Sequence, residues 1–202
     1  MQFPYLIDPL AAIQAYARDS DAGATVEYSL NDWNFGVIDK VSAYADACLV
    51  FANANSGEGY LTVDGNAGDR NNLTLWNNGD ALIKHTASVC SNTIAVIHSV
   101  GPILFEEWID HPNITAVLWA QLPGQESGNA LVDVLFGAVN PSGRLTYTIA
   151  KRREDYNADV VYENPGNLQL TYSEGLKIDY RHFDSANIEP RFEFGCVLSF
   201  LG

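Results

Sequence analysis

Residues 49–76 read LVFANANSGEGYLTVDGNAGDRNNLTLW, and the way this stretch begins decides the fold. Cys48-Leu49-Val50-Phe51-Ala52 is a short continuous apolar run, the pattern of a buried strand. It breaks into Asn53-Ala54-Asn55-Ser56-Gly57-Glu58-Gly59-Tyr60, a loop rich in residues that tolerate turns. The chain then stays irregular as far as Trp76, and a loop of that length in a compact domain is functional or disordered more often than incidental. Tyr60, Trp76 and several leucines argue against disorder. Glu58 lies between two glycines past the end of the strand, where a carboxylate can approach a ligand without crowding from its neighbours. A solvated loop glutamate is the competing reading.

The same unit recurs downstream. Ile94-Ala95-Val96-Ile97 is a second continuous apolar strand, ending in His98-Ser99-Val100-Gly101-Pro102, and residues 114–120 (ITAVLWA) form a third, ending in Leu122-Pro123-Gly124. Between the first two, Asn78-Gly79-Asp80 opens a helix with Leu82, Ile83, Thr86, Ala87 and Cys90 on its apolar face. Between the second and third, LFEEWID is expected to be a short helix stopped by His111-Pro112. After the third, Gln125 to Phe136 is helical and Gly137 closes it. Upstream, Asp8-Pro9 gives an N-cap and a first-turn proline for the helix LAAIQAYA, residues 24–30 (ATVEYSL) read as a short strand, and Val37, Ile38, Val41, Tyr44 and Ala45 give a short amphipathic helix. Buried strands alternating with helices predict an α/β fold: a mostly parallel sheet with helices on both faces, an α/β sandwich over residues 1–151. Residues 144–150 (RLTYTIA) alternate as an edge strand, and residues 152–202 are expected to form an irregular wrapping tail with one strand around Leu176 to Tyr180. Ligands of open parallel sheets collect beyond the carboxyl ends of the strands, and the loops there carry Glu58, His98-Ser99 and Gln121 to Gln125.

Bulk properties narrow the function. A net charge of −14, with only 11 basic residues in 202, argues against a nucleic-acid partner, because phosphate backbones require clustered Lys and Arg. No run is long enough for a membrane-spanning helix, so a membrane partner is not expected either. The opening MQFPYLIDPL lacks the basic start and apolar core of a signal peptide. The three cysteines, Cys48, Cys90 and Cys196, have no metal-like spacing and are expected to be free thiols. Asn72-Leu73-Thr74 and Asn113-Ile114-Thr115 are sequons.

Candidate chemistry is sparse outside Glu58. Arg70, flanked by Asp69 and Asn71 in the loop that also holds Asp64, is suited to clamping the loop through charge-assisted bonds. His98 reads as a structural histidine, and Ser99 lacks the G-x-S-x-G elbow of a serine hydrolase. His85, His111 and His182 lack paired ligand spacing, and no glycine-rich phosphate motif occurs, so no metal and no cofactor is expected. Asp179, Arg181, His182 and Asp184 read as an ion-pair network anchoring the tail.

SGEGY, VDGN, GDRNNLTLW, IHSVGP, LPGQESGNALVDVLFG, NPSGRL, EGLKIDYRHFD and EPRFEFG, in this order along nearly the whole chain, together resemble the fungal β-glucosidases among the family-three glycoside hydrolases. In that family a barrel domain precedes an α/β sandwich domain, often with a third, fibronectin-like domain, and this chain resembles the sandwich domain alone. The resemblance implies that Glu58 in SGEGY is the acid/base of a retaining β-glucosidase and that Tyr60 lines the leaving-group subsite. The nucleophile would be an aspartate of the missing barrel domain, so this chain holds half of a catalytic pair and is expected to be inactive alone. The implied substrates are cellobiose, cello-oligosaccharides and aryl β-glucosides, and the implied location of the parent enzyme is extracellular. An acid of this kind needs apolar walls or a nearby negative charge to hold its proton, and Tyr60 and Trp76 are the candidate walls. The chain departs from the family's ending, FGYGLSY, at Phe194-Gly195-Cys196-Val197-Leu198-Ser199-Phe200. A non-catalytic sugar-binding or structural module, and a flavodoxin-like small-molecule binder, are the alternatives.

Overall fold

The computed structural model describes residues 3–20, 23–161, 166–167 and 169–197. Its centre is a three-stranded parallel sheet in the order β1-β4-β5, formed by Cys48–Ala54 (β1), Thr93–Ser99 (β4) and Ile114–Trp119 (β5). The α/β architecture expected from the alternating pattern is the one observed: a parallel sheet flanked by helices. Helix α3 (Gly79–Val89) is the crossover from β1 to β4 and turns Leu82, Ile83, Thr86 and Ala87 inward. Leu82 and Ile83 meet Val50, Ala52 and Ala54 of β1 and Ala95 and Ile97 of β4 in one core, closed by Ile103, Phe105 and Trp108. Each Val, Leu, Ile or Phe of this set, fully buried, contributes roughly 1.5–3 kcal/mol.

The helix starts follow local chemistry. Pro9 opens α1 (Pro9–Asp19), and the Ala11 amide donates to Asp8 Oδ1 at 2.9 Å. Asn34 caps α2 (Phe35–Ser42) by accepting from the Val37 amide. Asp80 stabilises the first turn of α3 from inside the helix: Oδ2 accepts the Leu75 amide at 3.0 Å and Oδ1 accepts Trp108 Nε1 at 2.8 Å. Helix α4 (Ser127–Leu135) packs on α1 and ends at Gly137, whose φ of +78° suits the expected cap. Gly128 makes that packing possible, since a Cβ there would overlap the Asp8 carbonyl.

Several expectations are corrected. Cys48 and Cys90 are joined in a disulfide rather than free, because the start of β1 and the end of α3 lie side by side at the same end of the crossover; Cys196 is free. Residues 24–30 form no strand: they lie largely exposed, with Leu30 and Tyr28 bare and no neighbouring strand to complete the ladder. LFEEWID forms turns with a single helical bond, from the Ile109 amide to the Phe105 carbonyl. Helix is not propagated because Phe105 and Trp108 are drawn into the core while His111-Pro112 ends the segment. β5 is an edge strand, half-buried rather than buried. Residues 144–150 make only an isolated antiparallel bridge, Ile149 to Phe192, in place of a strand. The strand expected at Leu176–Tyr180 is a turn leading into helix α5 (Tyr180–Ala186). Asp179 causes the switch: its carboxylate takes the amide and hydroxyl of Thr148 and the Tyr180 amide, so the segment is held side-on and not in a ladder. The anchoring role expected for this cluster is therefore met by hydrogen bonds, including one between His182 Nε2 and the Asp155 carbonyl at 3.0 Å, and not by an ion-pair network. The family-like ending beyond Val197 lies outside the described residues.

Candidate functional site

The loop after β1 is a closed excursion. It leaves the sheet at Ala54 and returns where the Trp76 amide donates to the Asn53 carbonyl at 2.8 Å and Asn77 Nδ2 donates to Asn53 Oδ1 at 3.2 Å. Both ends thus sit on the carboxyl end of one strand, which fixes the base of the loop and pushes its middle outward.

The middle is built from turns. The Leu61 amide donates to the Glu58 carbonyl at 2.8 Å, around Gly59 with φ +51°, and the Gly68 amide donates to the Leu61 carbonyl at 2.9 Å. Between them a small hairpin pairs Thr62–Val63 (β2) with Asn66–Ala67 (β3) across Asp64-Gly65, both with positive φ. The one sequence signal for this hairpin is Asp64-Gly65, the dipeptide that type I′ turns favour. Gly57 is wedged beneath: a Cβ there would overlap the Gly68 carbonyl oxygen and come within 2.7 Å of that of Leu61.

At this tip Glu58 is exposed and Tyr60 is 93% exposed. Among the described residues the Glu58 carboxylate has no hydrogen-bond or ion-pair partner. The apolar walls expected from Tyr60 and Trp76 do not form within this chain. Trp76 belongs instead to the core beside Leu75, Val50 and Ile83.

The loop's exit is fastened to the turn after β4. Arg70 Nη1 donates to the Pro102 carbonyl at 2.6 Å, and the Leu104 amide donates to the Leu73 carbonyl at 2.8 Å. The clamp expected of Arg70 is present, but its acceptor is a backbone carbonyl and not Asp64 or Asp69. Burial pushes the Arg70 pKa down, opposed by the neighbouring Tyr147 and Tyr156 phenols.

The other groups at the carboxyl ends of the strands are structural. Ser99 is buried and donates its hydroxyl to the Gly101 carbonyl at 2.6 Å. His98 is half-buried, in register with Asn53 and stacked on Phe51 at 6.5 Å, and burial pushes its pKa down. A shallow depression of about 340 Å³ lies between Ser99-Val100 and residues 120–123, where Gln121 has a positive φ of 51°. A larger cleft, about 620 Å³, is lined by Glu106, Lys151, Arg152, Asp155 and residues 187–189, none of them from the Glu58 loop. Its charges are paired within the protein, as in Lys151–Glu189 at 3.3 Å and Arg152–Asp155 at 2.8 Å. Among the described residues no group of three His, Cys, Asp or Glu is placed to hold a metal ion, and no helix is long and apolar enough to cross a membrane.

Fold and site together define an α/β domain that presents the carboxylates of Glu58, Asp64 and Asp69 on a closed loop beyond its first sheet strand. Residues 1–180 match the model of the Glycosyl hydrolase family 3 C-terminal domain, and the chain belongs to that family. A beta-glucosidase of Schizophyllum commune is 54% identical over 194 residues, covering 96% of this chain and 100% of that protein. Beta-glucosidase 1 of Aspergillus aculeatus is 53% identical over 98% of this chain, which spans 23% of that protein. Among solved structures, the beta-D-glucoside glucohydrolase of Trichoderma reesei superposes with a TM-score of 0.91 at 50% identity, over 99% of this chain and 27% of that one. A family 3 beta-glucosidase of Neurospora crassa superposes with a TM-score of 0.92 at 54% identity, over 98% of this chain and 24% of that one. The family resemblance carried by SGEGY and the later words is thereby borne out, and this chain spans about a quarter of the longer relatives it matches.

Proposed function

We propose that this domain supplies the acid/base carboxylate of a retaining β-glucosidase, acting on cellobiose and aryl β-glucosides, with Glu58 as that group and Tyr60 lining the leaving-group subsite. The observation that carries the reading is the placement of Glu58: an exposed carboxylate, with no partner among the described residues, on a loop whose two ends are pinned to one strand. Glycosidic cleavage with retention needs two carboxyl groups roughly 5–5.5 Å apart, one donating a proton to the departing oxygen and one attacking the anomeric carbon. The nucleophile belongs to the barrel domain that precedes this one in the longer enzyme. That domain and the sugar would bring the apolar surroundings that Glu58 lacks here, raising its affinity for the proton it must deliver. The same carboxylate then activates water to release the sugar. Secretion of the parent enzyme is supported by the Cys48–Cys90 disulfide, a bond that persists in oxidising compartments.

The test uses a chimera in which residues 1–202 replace the matching segment of the Aspergillus aculeatus relative. General acid catalysis contributes roughly 10²–10⁴-fold, and only where the leaving group needs a proton. Glu58→Ala should lower cellobiose cleavage by about that factor while largely sparing glycosyl-enzyme formation from a dinitrophenyl glucoside. Azide, which needs no deprotonation, should restore turnover and yield a β-glucosyl azide. Equal losses on both substrates, with no azide rescue, would refute the assignment and favour a non-catalytic role for this carboxylate.

A further inference from the structure

We propose that Arg70 is a positioning residue for the Glu58 tip: it fastens the loop to the turn after β4 so that the carboxylate is held at a fixed place. The inference rests on the acid/base reading of Glu58 for what the tip does, but the fastening itself is visible without it. A continuous set of contacts leads from one residue to the other. Arg70 Nη1 holds the Pro102 carbonyl at 2.6 Å, and Gly101 lies against the same guanidinium. Two residues before Arg70, the Gly68 amide holds the Leu61 carbonyl and the Gly68 carbonyl presses on Gly57. The Leu61 amide in turn holds the Glu58 carbonyl. Every link past Arg70 on this path is main chain; beside it the tip is touched down only lightly, by Val63 against the core and by Ser56 Oγ on the Gly57 carbonyl at 3.0 Å, so it takes much of its position from the anchor.

The chemistry of Arg70 favours this role over a plain stabilising one. Its Nε and Nη2 are buried and have no hydrogen-bond partner among the described residues. Among the described residues no carboxylate faces it in an ion pair, and burial works against its charge. A guanidinium desolvated on those terms costs stability, and a flexible apolar side chain of similar length would cost less. What the apolar replacement cannot supply is the directed bond across to Pro102. Arg70 therefore carries a positional function at some expense to the fold.

The experiment is amide hydrogen exchange on the purified chain, with Arg70→Met and Arg70→Lys beside the wild type, and urea unfolding of all three. The Leu61 and Gly68 amides report the tip, and those of Leu82 to Cys90 in and after α3 report the core. Arg70→Met should raise exchange at Leu61 and Gly68 at least tenfold, leave the α3 amides as they are, and leave the urea midpoint unchanged or slightly higher. Arg70→Lys, which keeps one donor able to reach Pro102, should recover part of the protection. Unchanged exchange at the tip would overturn the proposal. So would a rise at the tip matched in proportion by α3, since that is loss of global stability. In the chimera, Arg70→Met should lower kcat on cellobiose more than on the dinitrophenyl glucoside with little change in KM. If Glu58→Ala fails its own test while the exchange result holds, the fastening stands and only the role assigned to the tip is lost.

Discussion

The two halves of the loop after β1 are made of similar residues and treated in opposite ways by the fold. The first half, from Asn55 to Ala67, is held mainly by main-chain turns and a two-rung hairpin, with Val63 alone resting on the core, and leaves Glu58 and Tyr60 in solvent. The second, from Gly68 to Asn78, is held by side chains: Arg70 on Pro102, Leu75 and Trp76 in the core, and Asn78 Nδ2 on the Asp32 carbonyl at 2.9 Å. A compact domain can thus present a reactive group without building a pocket around it. One half is anchored deeply enough to define the backbone, and the other commits little beyond Val63 to packing, leaving Glu58 and Tyr60 free for another surface.

Truncating an aromatic in each half should separate them most clearly. Trp76 is buried in the core, and an aromatic truncated to alanine there costs about 3–5 kcal/mol. Tyr60→Ala, at a bare site, should change stability by no more than about 0.5 kcal/mol. Urea unfolding of the two variants should therefore separate them widely, while the chimera should rank them the other way for the kinetics of aryl glucosides. If Tyr60→Ala destabilises the isolated chain as much as Trp76→Ala, the tip is not the unpacked half described here.

Much of this contrast could be read in the residues, and the remainder fails for identifiable reasons. The strands at Cys48, Ile94 and Ile114 and the inward face of α3 are legible because apolar runs and helical spacing report burial directly. The prominence of Glu58 is legible because two glycines flank it at the end of such a run. Partners distant in sequence are what the pattern hides. Nothing near Arg70 announces Pro102, 32 residues on, and nothing near Cys48 announces Cys90, although a cysteine opening a strand and another closing its crossover helix is a pairing that topology allows. The segment 24–30 fails differently. Its composition is that of a strand, but a strand exists only with a neighbour, and none is offered to it.

An intermediate effect is expected at the seam between the halves. Gly57 faces the carbonyls of Gly68 and Leu61, so Gly57→Ala forces a methyl group against main chain that cannot rotate away. Overpacking of this kind costs about 1–3 kcal/mol in a rigid setting. Here the tip is held by main-chain bonds and little else than Val63, so the loss should appear mainly as faster exchange of the Gly68 amide, with unfolding shifted less than by Trp76→Ala. A full 3 kcal/mol or more of lost stability would mean that the tip is as rigidly packed as the exit, and the distinction between the halves would collapse.

The smallest effect concerns the floor beneath the exit half. His98 lies in β4 beside Asn53, the residue on which Trp76 and Asn77 close the loop, and burial holds its pKa below the ordinary value. In the unfolded chain a histidine takes up its proton near pH 6.5. In the folded chain His98 does so only at lower pH. Between the two, the unfolded state binds more protons than the folded one, so this residue makes stability fall as pH drops through about 6.5, and the fall levels off once the folded pKa is passed. His98→Gln lacks the titration. Comparing thermal midpoints of the two proteins from pH 8 down to pH 5 cancels the contributions of the carboxylates and the other histidines, which both share. The midpoint of the wild type relative to the variant should decline steadily on the acid side of that range and be flat above it. Parallel curves would show that water reaches His98 in the folded protein, and that the floor under the anchored half is no drier than the tip.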